Sequence, residues 1–161
     1  MQRHESLRPL SRDHHLALRY ANRLVALADA EGHGLARHWS DIRLRFARYW
    51  SEALAPHFGE EEDALPWEYL DPDWRERLLD DHHRIGTLFR HLMASAVADT
   101  GVLRELGRRL GAHARWEEQE LFRVFQERVP AGALARVAAK LAHGHERLTD
   151  LGWLPPRLTP N

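Results

Sequence analysis

His57 and Glu61 stand four residues apart, and so do His113 and Glu117. On a helix that spacing puts imidazole and carboxylate on one face, about 6 Å apart along the axis. Both pairs fall on stripes that should face a core: Trp39, Ile42, Phe46, Trp50, Ala53, His57, Glu61, Ala64, and Leu103, Leu106, Leu110, His113, Glu117, Leu121, Val124. An ionised carboxylate buried alone costs several kcal/mol, so two inward glutamates require a shared compensating charge. His14 lies on a third stripe (Leu10, His14, Ala17, Ala21, Leu24, Ala28) and His82 on a fourth (Leu78, His82, Ile85, Phe89, Leu92, Ala96). Converging across a bundle, these six side chains can surround two cations. Imidazole nitrogen and carboxylate oxygen suit iron, manganese or zinc, and a carboxylate can bridge two ions. The stripes favour His14 over His15 and His82 over His83.

The elements that must position these groups read as helices throughout. Ala, Leu, Arg and Glu dominate, and strand-like alternation is missing. Ser11 is the expected cap of a first helix running to about residue 30. A second spans about 35–65, with Pro56 expected to kink it just before His57. Asp71-Pro72 marks the start of a third, running to about residue 98 and closed by Asp99-Thr100-Gly101. A fourth covers about 102–129 and stops before Pro130. A short fifth is expected over about 133–149. Four long helices with short connections predict an all-α fold, an antiparallel up-down four-helix bundle with a short C-terminal fifth helix. Residues 1–150 form the expected domain, and 151–161, rich in proline, a tail.

Twelve histidines in 161 residues are the compositional anomaly. Cysteine is absent, which removes disulfides, Cys-ligated zinc, iron–sulfur clusters and thiol catalysis. With 23 Lys+Arg against 24 Asp+Glu, the chain lacks the basic footprint of a nucleic-acid binder. No apolar run suits a membrane span, and the polar start lacks a signal-peptide core. A cytoplasmic protein, monomeric or homodimeric, is the expectation.

The chain also repeats itself. Asp13-His14-His15 matches Asp81-His82-His83, and His57-x-x-x-Glu61-Glu62 matches His113-x-x-x-Glu117-Glu118. Each half is a helical hairpin contributing the same set. The preceding aspartates are candidates to accept a hydrogen bond from imidazole, while Glu60, Glu62 and Asp63 read as a solvated face. With Leu10-Ser11 before the first motif and Leu121-Phe122 after the last, the four motifs in order, over about residues 8–128, resemble a hemerythrin-like (HHE cation-binding) domain. The resemblance implies a four-helix bundle around a non-haem di-iron centre, oxo- or hydroxo-bridged. It implies the ligands His14, His57, Glu61, His82, His113 and Glu117, with both glutamates bridging the irons. It also implies a small diatomic or peroxide ligand and an electron donor.

One departure stands out. Oxygen-carrying hemerythrins place two histidines four apart on the third helix, whereas here Leu78 and Gly86 flank His82 at that spacing. Four histidines and two glutamates remain, which speaks against reversible oxygen carriage and for redox chemistry, sensing or iron handling. Glu60, Glu118, Glu120, His15 and His83 are candidates to replace the missing ligand. Two rivals are a DinB-like bundle with one metal on three histidines, acting as a thiol-dependent transferase, and a non-catalytic iron-responsive regulatory domain.

Overall fold

The computed structural model describes residues 4–30 and 34–142. The end of the expected fifth helix, with His145, and the tail lie outside them. A 3₁₀ turn, Glu5–Leu7, leads into α1 (Arg8–Asp29). α2 (Leu35–Tyr49) continues through a π turn, Trp50–Leu54, into α3 (Ala55–Ala64) as one bundle helix. α4 (Pro72–Ala94) follows. α5 (Thr100–Trp116) runs through a second π turn, Glu117–Leu121, into α6 (Phe122–Arg128). α7 (Ala131–Ala142) packs against α3 and the first turn, while α1 lies along α5, and α4 contacts α2, α3 and α5. This is the all-α bundle with a fifth helix that the periodicity predicts.

Local chemistry explains where boundaries moved. α1 begins three residues before Ser11, because Pro9 occupies its first turn, where a missing N–H costs nothing. The His4 imidazole caps the preceding turn by accepting from the Ser6 N–H. Ser11 therefore caps nothing, and its buried hydroxyl has no hydrogen-bond partner. α4 stops at Ala94, short of residue 98, because Ser95 turns extended and its carbonyl accepts from Trp39 Nε1 and Arg43, both at 3.1 Å. Ala96 is consequently exposed. Asp99-Thr100-Gly101 does not close α4: Thr100 and Gly101 already belong to α5, and Asp99 precedes them. Its carboxylate accepts from the Val102 N–H at 2.9 Å and caps α5. Asp71 has cap backbone geometry, but its carboxylate accepts from Arg128 instead.

Pro56 acts through the π turn. It has no N–H to donate to the preceding turn, and the Ala55 N–H reaches back to the Trp50 carbonyl. The second π turn has no proline. There the Phe122 N–H bonds the Glu117 carbonyl. Such turns concentrate at functional sites, and this one opens on a candidate ligand.

The core is divided in two. One apolar cluster holds Tyr20, Leu24, Phe46, Tyr49, Phe89 and Leu106. The other holds Leu7, Leu10, Leu78, Phe122, Phe125 and Val137. Between them lies a buried polar layer of His14, His57, Glu61, His82, His113 and Glu117. Among the described residues no helix is long and apolar enough to cross a membrane.

Candidate metal centre

Every bundle helix delivers one histidine to that layer, and the second and fourth each add a glutamate one turn later. Both glutamates are 0% exposed. The His14 and His57 Nε2 atoms lie 3.1 Å apart. Glu61 Oε1 is 3.3 Å from His14 Nε2 and 3.2 Å from His57 Nε2, and its Oε2 is 3.4 Å from His82 Nε2. Glu117 Oε2 is 3.1 Å from His14 Nε2 and 3.3 Å from His113 Nε2. Two sets of four potential ligand atoms result: His14, His57, Glu61 and Glu117, and Glu61, His82, His113 and Glu117. Both glutamates belong to both sets. Each hairpin thus contributes three members to its own set and lends one carboxylate to the other.

The outer nitrogens are held with the same symmetry. His57 Nδ1 lies 3.1 Å from Asp13, and His113 Nδ1 3.4 Å from Asp81. His14 Nδ1 lies 2.8 Å from Glu118, and His82 Nδ1 2.7 Å from Glu62. The aspartates thus serve the histidine of the neighbouring helix in their own hairpin. The glutamates beside the buried pair reach across to the other hairpin. Glu62 does not belong to a solvated face, and Glu118 orients a histidine rather than replacing a ligand. His15, His83 and Glu120 are exposed, and Glu60 belongs to neither set.

With each Nδ1–H donated outward to a carboxylate, each Nε2 turns its lone pair inward. There the lone pairs meet one another and two carboxylates. His82 Nε2, His113 Nε2, Glu61 Oε2 and both oxygens of Glu117 are buried without a hydrogen-bond partner. Such crowding of acceptors is tolerable only around positive charge. The donor set fits a divalent transition metal, and outward carboxylates that fix the ring and raise its basicity are what such ligands use.

Without metal, protons supply the charge. Burial alone would depress His14, but Glu117, Glu118 and Glu61 overcome it and hold the imidazole well above its usual value. His82 is likewise raised, burial being outweighed by Glu61 and Glu62. Burial would raise Glu61, yet His57, His14 and His82 pull it well below the carboxylate range. Asp81 is lowered too, burial being outweighed by His113. For raised histidines, the stability gained on folding is full below their unfolded value near 6.5 and disappears as pH climbs through the folded values. For the lowered acids, it is present above about pH 4 and lost on acidification through their folded values. The metal-free chain should therefore melt highest at mildly acid pH and lower at pH 8 and above. Metal reverses the trend, because binding displaces protons and strengthens as pH rises. Thermal melts of chelator-treated and metal-loaded protein between pH 5 and 9 measure both slopes.

Aromatic rings seal the layer. Phe58 stacks on His82 at 3.7 Å and meets His113 edge-on at 5.6 Å, while Phe122 stacks on His14 at 5.3 Å. Trp67 Nε1 donates to the Glu61 carbonyl at 3.2 Å. A cavity of about 10 Å³, lined by Asp13, Leu16, Ala17, Tyr49, Ala53, Leu54 and His57, lies against the His57 side of the layer. That is room for about one water-sized molecule. Of the two positions four residues from His82, Leu78 is a buried core side chain and Gly86 is filled rather than vacant. A Cβ there would lie 2.9 Å from Trp50 Cη2.

The six residues singled out by spacing are thus brought together in one layer. The model of the hemerythrin HHE cation-binding domain matches residues 6–123. The chain belongs to that family. Neither among curated proteins nor among solved structures does it find a match. In this HHE domain the matched stretch contains all six residues of the polar layer and the four carboxylates around it.

Proposed function

We propose that this HHE domain holds two iron ions. His14 and His57 would serve one and His82 and His113 the other, with Glu61 and Glu117 shared between them. The observation that carries the reading is that both glutamates belong to both four-atom sets. A single metal on three histidines would leave one imidazole and a carboxylate buried with no task.

An iron pair supplies one-electron ferrous–ferric chemistry to a small ligand: dioxygen, peroxide or nitric oxide. Two histidines with carboxylates are a recognised setting for non-haem iron with open positions. Asp13, Asp81, Glu62 and Glu118 fix the four imidazoles and favour higher positive charge at the centre. Phe58 and Phe122 exclude water from its flanks. The cavity beside His57, with room for about one water-sized molecule, lies on the flank of this layer. This geometry suits redox detoxification, sensing or iron handling, with a soluble reductant as electron donor.

Metal analysis of protein produced in iron-rich medium, combined with an optical spectrum, tests the proposal. The expected result is about two irons per chain with near-ultraviolet bands of an oxygen-bridged pair. A single zinc ion retained in a Glu61→Ala variant would overturn it.

A further inference from the structure

One feature beside the centre has no part in holding ligands. Trp74, partly exposed on the first turn of α4, stacks on buried Trp116 with centroids 6.0 Å apart and planes 13° apart. The Trp116 ring is 6.1 Å from the His113 ring. The exposed Arg77 guanidinium lies over the Trp116 face, 4.1 Å from its centroid. The repeat shows that the ligand scaffold does not need this pair: the matching positions in the other hairpin are Ser6 and Glu60.

We propose that Trp116 and Trp74 drain oxidising equivalents from the His113 side of the metal pair to the protein surface. The proposal rests on the two-iron reading. Hydrogen peroxide takes up two electrons and two protons to become two waters. Where bound iron would supply only one of these electrons, Trp116 supplies the second and Trp74 refills Trp116. The Trp74 radical cation then releases its indole proton to water. A one-electron reductant in solution, such as ascorbate or a thiol, with one proton from water, restores Trp74.

Three observations set the direction. The Trp116 indole N–H is buried and without a hydrogen-bond partner, so an oxidised Trp116 keeps its proton and stays ready to be refilled. A cation is attracted to a neutral indole face but repels positive charge placed there, so Arg77 discourages the hole from resting on Trp116. Trp74 alone of the two has access to solvent. The stacked tyrosine pair, Tyr20 and Tyr49 at 3.8 Å, does not serve. A phenol must lose its proton when oxidised, and the buried Tyr20 hydroxyl has nothing to take it.

Iron-loaded and zinc-loaded chains, with metal content measured first, are exposed to hydrogen peroxide and their tryptophan oxidation is mapped by peptide mass spectrometry. Trp74 in the iron-loaded chain is expected to be oxidised several-fold more than Trp67, which is also partly exposed, and no more than Trp67 in the zinc-loaded chain. Trp116→Phe, which keeps a ring but not an easily oxidised one, should lower Trp74 oxidation several-fold. Arg77→Gln, an exposed change that spares the core, should move products from Trp74 to Trp116. A chain that takes up no iron overturns the two-iron reading and the drain with it. Two irons with Trp74 oxidised no more than Trp67, or an unchanged Trp74-to-Trp116 ratio in Arg77→Gln, overturns the drain alone.

Discussion

On the two-iron reading proposed above, Glu61→Ala should reduce bound iron from about two ions per chain to one or none, a large effect expected of losing either shared carboxylate. Glu61 is common to both four-atom sets, so its loss strips an oxygen from each. Iron that binds only the folded chain stabilises it by about 4 kcal/mol at a thousand times its dissociation constant. That increment should vanish from the melting curve of the variant. The metal-free variant suffers as well, since Glu61 is the fully buried anion among His14, His57 and His82. Breaking a buried charge pair from one side costs about 3–5 kcal/mol. Glu118→Gln should act differently. It keeps the inward ligands and loosens the hold on His14, so affinity should fall by about 10–100-fold with stoichiometry preserved. Iron titrations of the three proteins separate these outcomes. Two tightly held irons in Glu61→Ala would remove the basis of the shared-carboxylate reading.

Gly107→Val should be the most damaging change away from the polar layer. α1 and α5 approach so closely there that a Cβ on Gly107 would lie 2.7 Å from the Ala21 carbonyl oxygen, 2.8 Å from Val25 Cγ2 and 3.1 Å from Leu24 Cβ. The first neighbour is backbone and cannot rotate away, so the two helices must part. Overpacking of this kind costs about 1–3 kcal/mol, and the two methyls of valine belong at the upper end. Against a total of about 5–15 kcal/mol for a typical domain, that is a large share. Gly59→Ala is the contrasting control. Its Cβ would meet nothing within 4 Å, and glycine to alanine inside a helix gains about 0.8–1 kcal/mol. Urea denaturation should show midpoints moving in opposite directions. A Gly107→Val midpoint equal to the wild type would mean that α1 and α5 separate at no cost.

The inward stripes were legible because burial follows the helical period closely. Every stripe residue of the first and fourth bundle helices is buried. The one that strayed onto the surface, Ala96, did so because Trp39 and Arg43 capture the Ser95 carbonyl, a contact between residues more than fifty positions apart that no local pattern encodes. The start of α1 was readable from Pro9, a stronger signal than Ser11. The outward role of Glu62 and Glu118 also had a trace: each follows a buried glutamate at matching positions of the repeat. Read singly, an exposed-looking acid beside an inward one suggests only solvent. The π turn at Glu117–Leu121 had no trace, because nothing like Pro56 marks it. Asp13 and Asp81 were recognisable as partners of imidazole, but that each holds the histidine of the neighbouring helix depends on how the helices pack.

The exchange of glutamates between the two hairpins has a consequence for assembly from smaller parts. Each hairpin alone offers two imidazoles and one carboxylate to an ion, with an Asp to steady one ring and a Glu reaching outward. What it lacks, its counterpart supplies by the same contacts in reverse, the reciprocity of a twofold-symmetric pair. A peptide of half this length, meeting a second copy of itself about such an axis, would reproduce the same set of inward donors. The loop between α3 and α4 then serves to make that meeting independent of concentration.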